Sequence, residues 1–129
     1  MAASGPPCHT PAVTTILIVD DHPSFRATAR ALLEAEGLEV VGEAEDGAGA
    51  ILAAAELEPD LVLLDVQLPD IDGFEVAAQL SARNGSGPAV VLTSSRDLCD
   101  FGRLVDESGA RGFVPKAELS VARIAALLE

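Results

Sequence analysis

Five side chains suit one chemistry: the adjacent carboxylates Asp20 and Asp21, a third carboxylate at Asp65, the hydroxyl of Thr93 and the ammonium of Lys116. Each site follows a short apolar run, ILIV (16–19), LVLL (61–64), AVVL (89–92) or GFVP (112–115). Like charges side by side at the end of a segment that reads as buried repel each other, and burial makes the repulsion worse. Either Asp20 and Asp21 face open solvent, or a cation sits against them. Three carboxylates with no Cys or His beside them except His22 favour a hard, oxygen-ligated ion such as Mg²⁺ over zinc. Magnesium takes one or two carboxylates together with phosphate oxygens. A phosphoryl group is therefore the expected partner. Lys116 is the chain's single lysine beside seven arginines, a compact point charge where every other base is a planar fork.

Taken singly, each residue has a plainer reading. An Asp after a strand is often a helix cap or turn residue. Thr93 alone is a β-branched strand residue, and Lys116 alone is surface charge. The combination at successive strand ends is harder to dismiss.

Those strand ends need elements to hold them. A fifth apolar run, LEVVGEA (38–44), completes the set, and helical periodicity fills the intervals. Phe25, Ala29, Leu32 and Leu33 share one face that stops at Gly37, a natural helix terminator. Ala48, Ile51, Leu52 and Ala55 predict a second inward face, closed before Pro59. Phe74, Ala77 and Leu80 predict a third. A weaker fourth spans Asp97–Ser108 through Leu98, Phe101, Leu104 and Val105. Val121, Ile124, Ala125 and Leu128 predict a fifth. Five strand–helix alternations with near-continuous apolar strands imply a parallel sheet covered on both faces. Pro115 costs the last strand a ladder donor and predicts an edge position. Ligands of open α/β sheets bind outside the carboxyl ends of the strands, which is where all five groups fall.

At 129 residues the chain is long enough for one domain with its own core. Cys8 and Cys99 are its only cysteines, so no disulfide framework is expected and a reducing cytoplasm fits. No apolar run approaches the roughly 20 residues of a membrane span. The opening MAASGPPCHTPAVT lacks a basic start and an apolar core, so it reads as a flexible tail over residues 1–14 and not as a signal peptide. The net charge is −13, and thirteen acids with no Lys or Arg lie between Ala31 and Ala82. The rest of the chain, with eight acids and eight bases, is neutral. Such a surface opposes direct contact with a nucleic-acid backbone.

The stretches ILIVDDHPSF, LVLLDVQLPDIDGFE, VVLTSS and GFVPK resemble, in order and spacing, the motifs of response-regulator receiver domains of two-component signalling. The resemblance covers residues 15–129, and DDHPSFR with GFVPKAEL is most similar to receivers of LuxR/NarL-type regulators. It implies a flavodoxin-like, doubly wound, five-stranded parallel sheet in the order 2-1-3-4-5 with five helices. It implies that Asp65 is the phosphoacceptor and that Asp21 and Asp65 ligate Mg²⁺, with Asp20 acting through a coordinated water and Gln67 through its backbone carbonyl. Thr93 is similar to the switch hydroxyl, Phe113 to the switch aromatic, and Lys116 to the lysine that pairs first with the acceptor and then with the phosphoryl group. The family often has Lys-Pro where this chain has Lys116-Ala117.

The implied role is a phosphorylation-dependent switch, not a turnover enzyme, though one that assists its own phosphotransfer and dephosphorylation. The implied donor is a sensor histidine kinase or a phosphotransfer protein. The implied reader is a protein partner or a second copy, engaged through the fourth helix, fifth strand and fifth helix, with no direct nucleic-acid or membrane contact. Two other readings stand beside it. The chain closes at Glu129, where a linker to a helix-turn-helix domain would start, so a receiver fragment of a DNA-binding transcription regulator fits equally well. A small Mg²⁺-dependent aspartyl phosphatase fits less well. Such enzymes resemble an Asp-x-Asp pattern, whereas here the two aspartates are adjacent, and 129 residues leave little room for a substrate cap.

Overall fold

The computed structural model describes residues 14–81, 88–94, 105 and 107–128. In chain order these form β1 (Thr15–Val19), α1 (Pro23–Ala35), β2 (Glu39–Ala44), α2 (Gly47–Leu57), β3 (Leu61–Asp65), α3 (Gly73–Ser81), β4 (Ala89–Ser94) and β5 (Gly112–Pro115). A 3₁₀ turn (Lys116–Glu118) and a C-terminal helix (Val121–Leu128) follow. The strands pair in parallel in the order β2-β1-β3-β4-β5. This is the doubly wound arrangement expected, with β5 at an edge where the missing amide of Pro115 leaves the ladder to β4 intact.

The apolar strand runs are continuous because alternate residues serve two cores. Leu17, Val19, Val62, Leu64, Val90 and Leu92 pack with Ala50, Ala54, Val76, Ala77 and Leu80 on the α2 and α3 side. Ile16, Ile18, Leu61, Leu63, Val91 and Val114 pack with Ala29, Leu33 and Ile124 on the side of α1 and the C-terminal helix.

Local chemistry sets the helix ends. Pro23 opens α1, where its fixed φ suits the first helical position and its absent amide costs nothing. The helix stops at Gly37, at φ +97°, with the Gly37 amide on Glu34 O and the Leu38 amide on Leu33 O. That pair of bonds is the Schellman closure that favours glycine. At α2 the Asp46 carboxylate accepts the Gly49 amide at 2.7 Å, while Asp70 reaches back from the loop after β3 to accept those of Gly47 and Ala48.

Two expectations need correction. In α2 the buried residues are Gly47, Ala50 and Ala54, while Ala48, Leu52 and Ala55 of the expected inward face are exposed. Leu52 is 68% exposed. In the C-terminal helix Ile124 is buried with Leu127 and Val121 packed beside it, and Ala125 faces outward. Four α-helices are bounded among the described residues. The expected fourth is represented by Val105, Glu107 and Ser108, which are helical, whereas Leu98, Phe101 and Leu104 lie outside the described residues. Most of the expected tail, and both cysteines, also lie outside them.

Candidate functional site

One strand parity runs through the site. Asp20 continues the sequence of Ile16 and Ile18, Asp65 that of Leu61 and Leu63, Thr93 follows Val91, and Lys116 follows Val114. Side chains two apart on a strand share a face, so all four groups come up on the α1 side of the sheet. The Asp65–Thr93 register of β3 and β4 puts the hydroxyl beside the third carboxylate.

Asp20 and Asp65 are buried and built alike. Oδ1 of Asp20 accepts the His22 amide at 2.7 Å, and Oδ1 of Asp65 accepts the Gln67 amide at 3.0 Å. Each carboxylate thus turns its own loop through the amide two residues on. The second oxygens face a shared cation. Lys116 Nζ lies 2.6 Å from Asp20 Oδ2, as an ion pair without hydrogen-bond alignment, and 3.3 Å from Asp65 Oδ2. Asp21, beside Asp20, is exposed, and the His22 ring bridges the pair with Nδ1 3.0 Å from each carboxylate.

The electrostatics divide the two buried acids. Burial alone would raise the Asp20 pKa, but Lys116 and the His22 amide outweigh it, and the carboxyl is held below its ordinary value. For Asp65 burial prevails, aided by the negative charge of Asp20, over the Gln67 amide and Lys116, and the pKa rises. Burial would lower Lys116; its two carboxylates more than offset this and raise it.

Further contacts fix the frame. Arg26 donates to the Asp20 carbonyl at 2.5 Å and pairs with Glu43 at 3.0 Å, tying the loop after β1 to β2. Gly73 opens α3 so close to the end of β3 that a Cβ there would lie 2.3 Å from the Asp65 carbonyl oxygen. Among the described residues the buried Thr93 hydroxyl has no hydrogen-bond partner, a costly state for a polar group. Lys116–Ala117 is a trans peptide.

The structure therefore brings Asp20, Asp21, Asp65 and Lys116 together, with Thr93 adjoining. Gln67 contributes its amide to Asp65. Phe113 belongs to the opposite parity, packed in the core with Leu92 and Val105. Sequence reasoning missed three residues. His22 was legible from its contiguity with the aspartates, whereas Arg26 and Phe25 read as ordinary members of α1. The Phe25 ring centroid lies 4.5 Å from Lys116 Nζ, a contact that spans 91 positions of sequence (116 − 25).

Asp20, Asp21, His22 and Asp65 each offer one ligand atom within 4.8 Å of the others. Three carboxylates, one of them open to solvent, suit a hard divalent cation. Residues 16–129 match the family model of the response regulator receiver domain.

The chain belongs to the response-regulator receiver family.

Its relatives agree. The transcription regulator BvgA of Bordetella pertussis is 43% identical over 103 residues, which is 80% of this chain and 49% of that protein. The DNA-binding transcriptional activator EvgA of Escherichia coli K12 is 34% identical over 102 residues, 79% of this chain and 50% of that protein. This receiver chain spans about half the length of the curated relatives it matches. Among solved structures, a LuxR-family two-component response regulator from Aurantimonas superposes with a TM-score of 0.80 at 32% identity, covering 91% of this chain and 86% of that one. Among the described residues no helix is long and apolar enough to cross a membrane.

Proposed function

We propose that this receiver is a phosphorylation-dependent switch in which Asp65 takes a phosphoryl group from a sensor histidine kinase or phosphotransfer protein. The observation that carries the reading is the buried Asp65 carboxylate with its Oδ2 facing the only lysine and its loop set by the Gln67 amide. The carboxylates of Asp20, Asp21 and Asp65, with the Gln67 carbonyl, are the groups to hold Mg²⁺, which supplies positive charge against the incoming phosphoryl oxygens. Lys116 supplies the same kind of stabilisation from the protein. Acceleration by such a site is mostly positioning and charge neutralisation.

Phosphorylation converts one carboxylate into a dianionic group with three strong acceptor oxygens. Thr93 is the donor poised for them, since its buried hydroxyl has no other partner among the described residues. Movement at Thr93 is felt by Phe113, packed one strand over against Leu92 and Val105. The state is then read on the surface around Asp97–Ser108, β5 and the C-terminal helix. The acidic surplus of residues 31–82 favours a protein reader, either a partner or a second copy, over direct DNA contact by this domain. Transcriptional output fits the names of the relatives, and a cytoplasmic site of action fits the kinase.

The test is intact-mass measurement after exposure to acetyl phosphate with Mg²⁺. One hydroxylamine-labile phosphoryl group is expected, dependent on the metal and absent from Asp65→Asn. Equal labelling of Asp65→Asn overturns the assignment.

A further inference from the structure

Phe25 has so far appeared only as a core residue of α1 that also touches Lys116. Its position says more. Among the described residues the Lys116 ammonium is bounded by three groups: Asp20 Oδ2 at 2.6 Å, Asp65 Oδ2 at 3.3 Å and the Phe25 ring centroid at 4.5 Å. Two of these are anions that attract the charge and the third is the negative face of a quadrupole. The side chain is 17% exposed, so the ammonium sits mostly out of water, where attraction to a ring face is strongest. A lysine has a flexible four-carbon stem and no preferred fork, so its head must be held by its surroundings. The carboxylates cannot do this alone through a phosphorylation cycle, because Asp65 is one of the two and is the group that changes. Of the three contacts, the ring is the uncharged one and takes no part in the chemistry.

We propose that Phe25 is a positioning residue for phosphoryl transfer, holding the Lys116 ammonium against the acceptor carboxylate through the face of its ring. This rests on the reading of Asp65 as phosphoacceptor. The ring keeps the ammonium at the acceptor while Asp65 exchanges a carboxylate for an acyl phosphate. An aliphatic side chain of similar bulk fills the same part of the core but offers no quadrupole, so it leaves the ammonium to be held by the carboxylates alone. Tyr keeps the ring face. The comparison of Leu with Tyr at position 25 therefore separates positioning from packing.

The single lysine makes a direct measurement possible. In protein carrying isotope-labelled lysine, the methylene next to Nζ gives one signal. In the wild type that signal should be shifted upfield by the ring, in Phe25→Tyr it should stay shifted, and in Phe25→Leu it should return towards the value of free lysine. The rate of labelling by acetyl phosphate at fixed Mg²⁺ should fall on the order of tenfold in Phe25→Leu and stay within about twofold in Phe25→Tyr. Mg²⁺ affinity should be unchanged in both, since the ring packs on the apolar core and faces the ammonium, neither of which is a ligand. On a Lys116→Met background, Phe25→Leu should cost nothing further. A lysine signal insensitive to Phe25→Leu overturns the proposal, as does an equal loss of rate in the Tyr and Leu variants or a full extra loss on the Lys116→Met background. Absence of labelling in the wild type would sink the phosphoacceptor reading, while the lysine signal would still report whether the ring holds the ammonium.

Discussion

Two pairs of aspartates lie at the carboxyl edge of this sheet, and they have opposite fates. Asp46, just past β2, and Asp70, in the loop after β3, turn their carboxylates onto the free amides of Gly47, Ala48 and Gly49. Asp20 and Asp65, at the ends of β1 and β3, are buried and turn their second oxygens onto one ammonium. The first pair uses its charge to finish a helix, where exposed amides and the helix dipole welcome an anion. The second spends one oxygen on its own loop and leaves the other uncommitted to backbone. An aspartate after a strand is thus a cap when a helix amide is within reach, and a partner for a buried cation when an ammonium is.

The sharpest way to break this contrast is to remove the cation. Lys116→Met leaves two buried carboxylates facing each other and should cost about 3 kcal/mol of stability, the usual result of stripping one partner from a buried ionic site. Urea titration without metal at neutral pH measures it. A cost below about 1 kcal/mol would mean that Asp20 and Asp65 are solvated, as surface caps are.

A second expectation concerns pH. The Asp65 pKa in the fold lies above its ordinary 3.8, with burial the main cause. The fold therefore penalises the anion; that penalty is absent below the unfolded value and develops as pH rises through the folded one. In chelator-treated protein, Asp65→Asn should gain stability relative to wild type as pH rises from about 4 towards neutrality. The opposite trend, Asn losing stability as pH rises, would place Asp65 with a cap such as Asp70, whose carboxyl the Gly47 and Ala48 amides hold below its ordinary value.

The caps predict smaller changes. Asp46→Ala should cost about 1 kcal/mol through α2, a typical loss for an N-cap, and leave the rate of acetyl phosphate labelling unaltered. Parallel melts and labelling assays on the one variant check both halves. The smallest effect belongs to the corrected face of α2. Leu52→Gln should shift stability by less than about 0.5 kcal/mol, because Leu52 is already 68% exposed; a loss of 2 kcal/mol would restore the inward face expected from its periodicity.

That face shows where the sequence was hard to read. GAGAILAAAEL holds one polar residue, Glu56, so no polar stripe marks the outer side and any helical phase fits. The alternative phase, Gly47–Ala50–Ala54, is chosen by packing against Ile71 and Val76, where the small Gly47 permits close contact. The strands were legible for the opposite reason. A run such as ILIV or LVLL has no polar position to misassign, since both parities are buried. Asp20, Asp65, Thr93 and Lys116 were legible as a set because the strand ends are fixed by those runs. Phe25 and Arg26 were not, because a helix places them over the rim only after the β1–α1 turn has been made. The contact of Phe25 with Lys116 joins chain segments that no local pattern relates.

Gly73 ties this rim to the folding of the domain. Its amide bonds to Val66 O at 3.0 Å, and its Cα stands where a methyl group would collide with the Asp65 carbonyl. The first turn of α3 is therefore seated directly on the main chain of Asp65 and Val66. Cooperative opening units in proteins follow such backbone contacts, so α3 cannot fray from its N-terminus without loosening the peptide that follows Asp65. Deuterium uptake at the Gly73 amide is then a clock for the end of β3: it counts how often the loop that presents Asp65 comes undone while the sheet behind it stays closed.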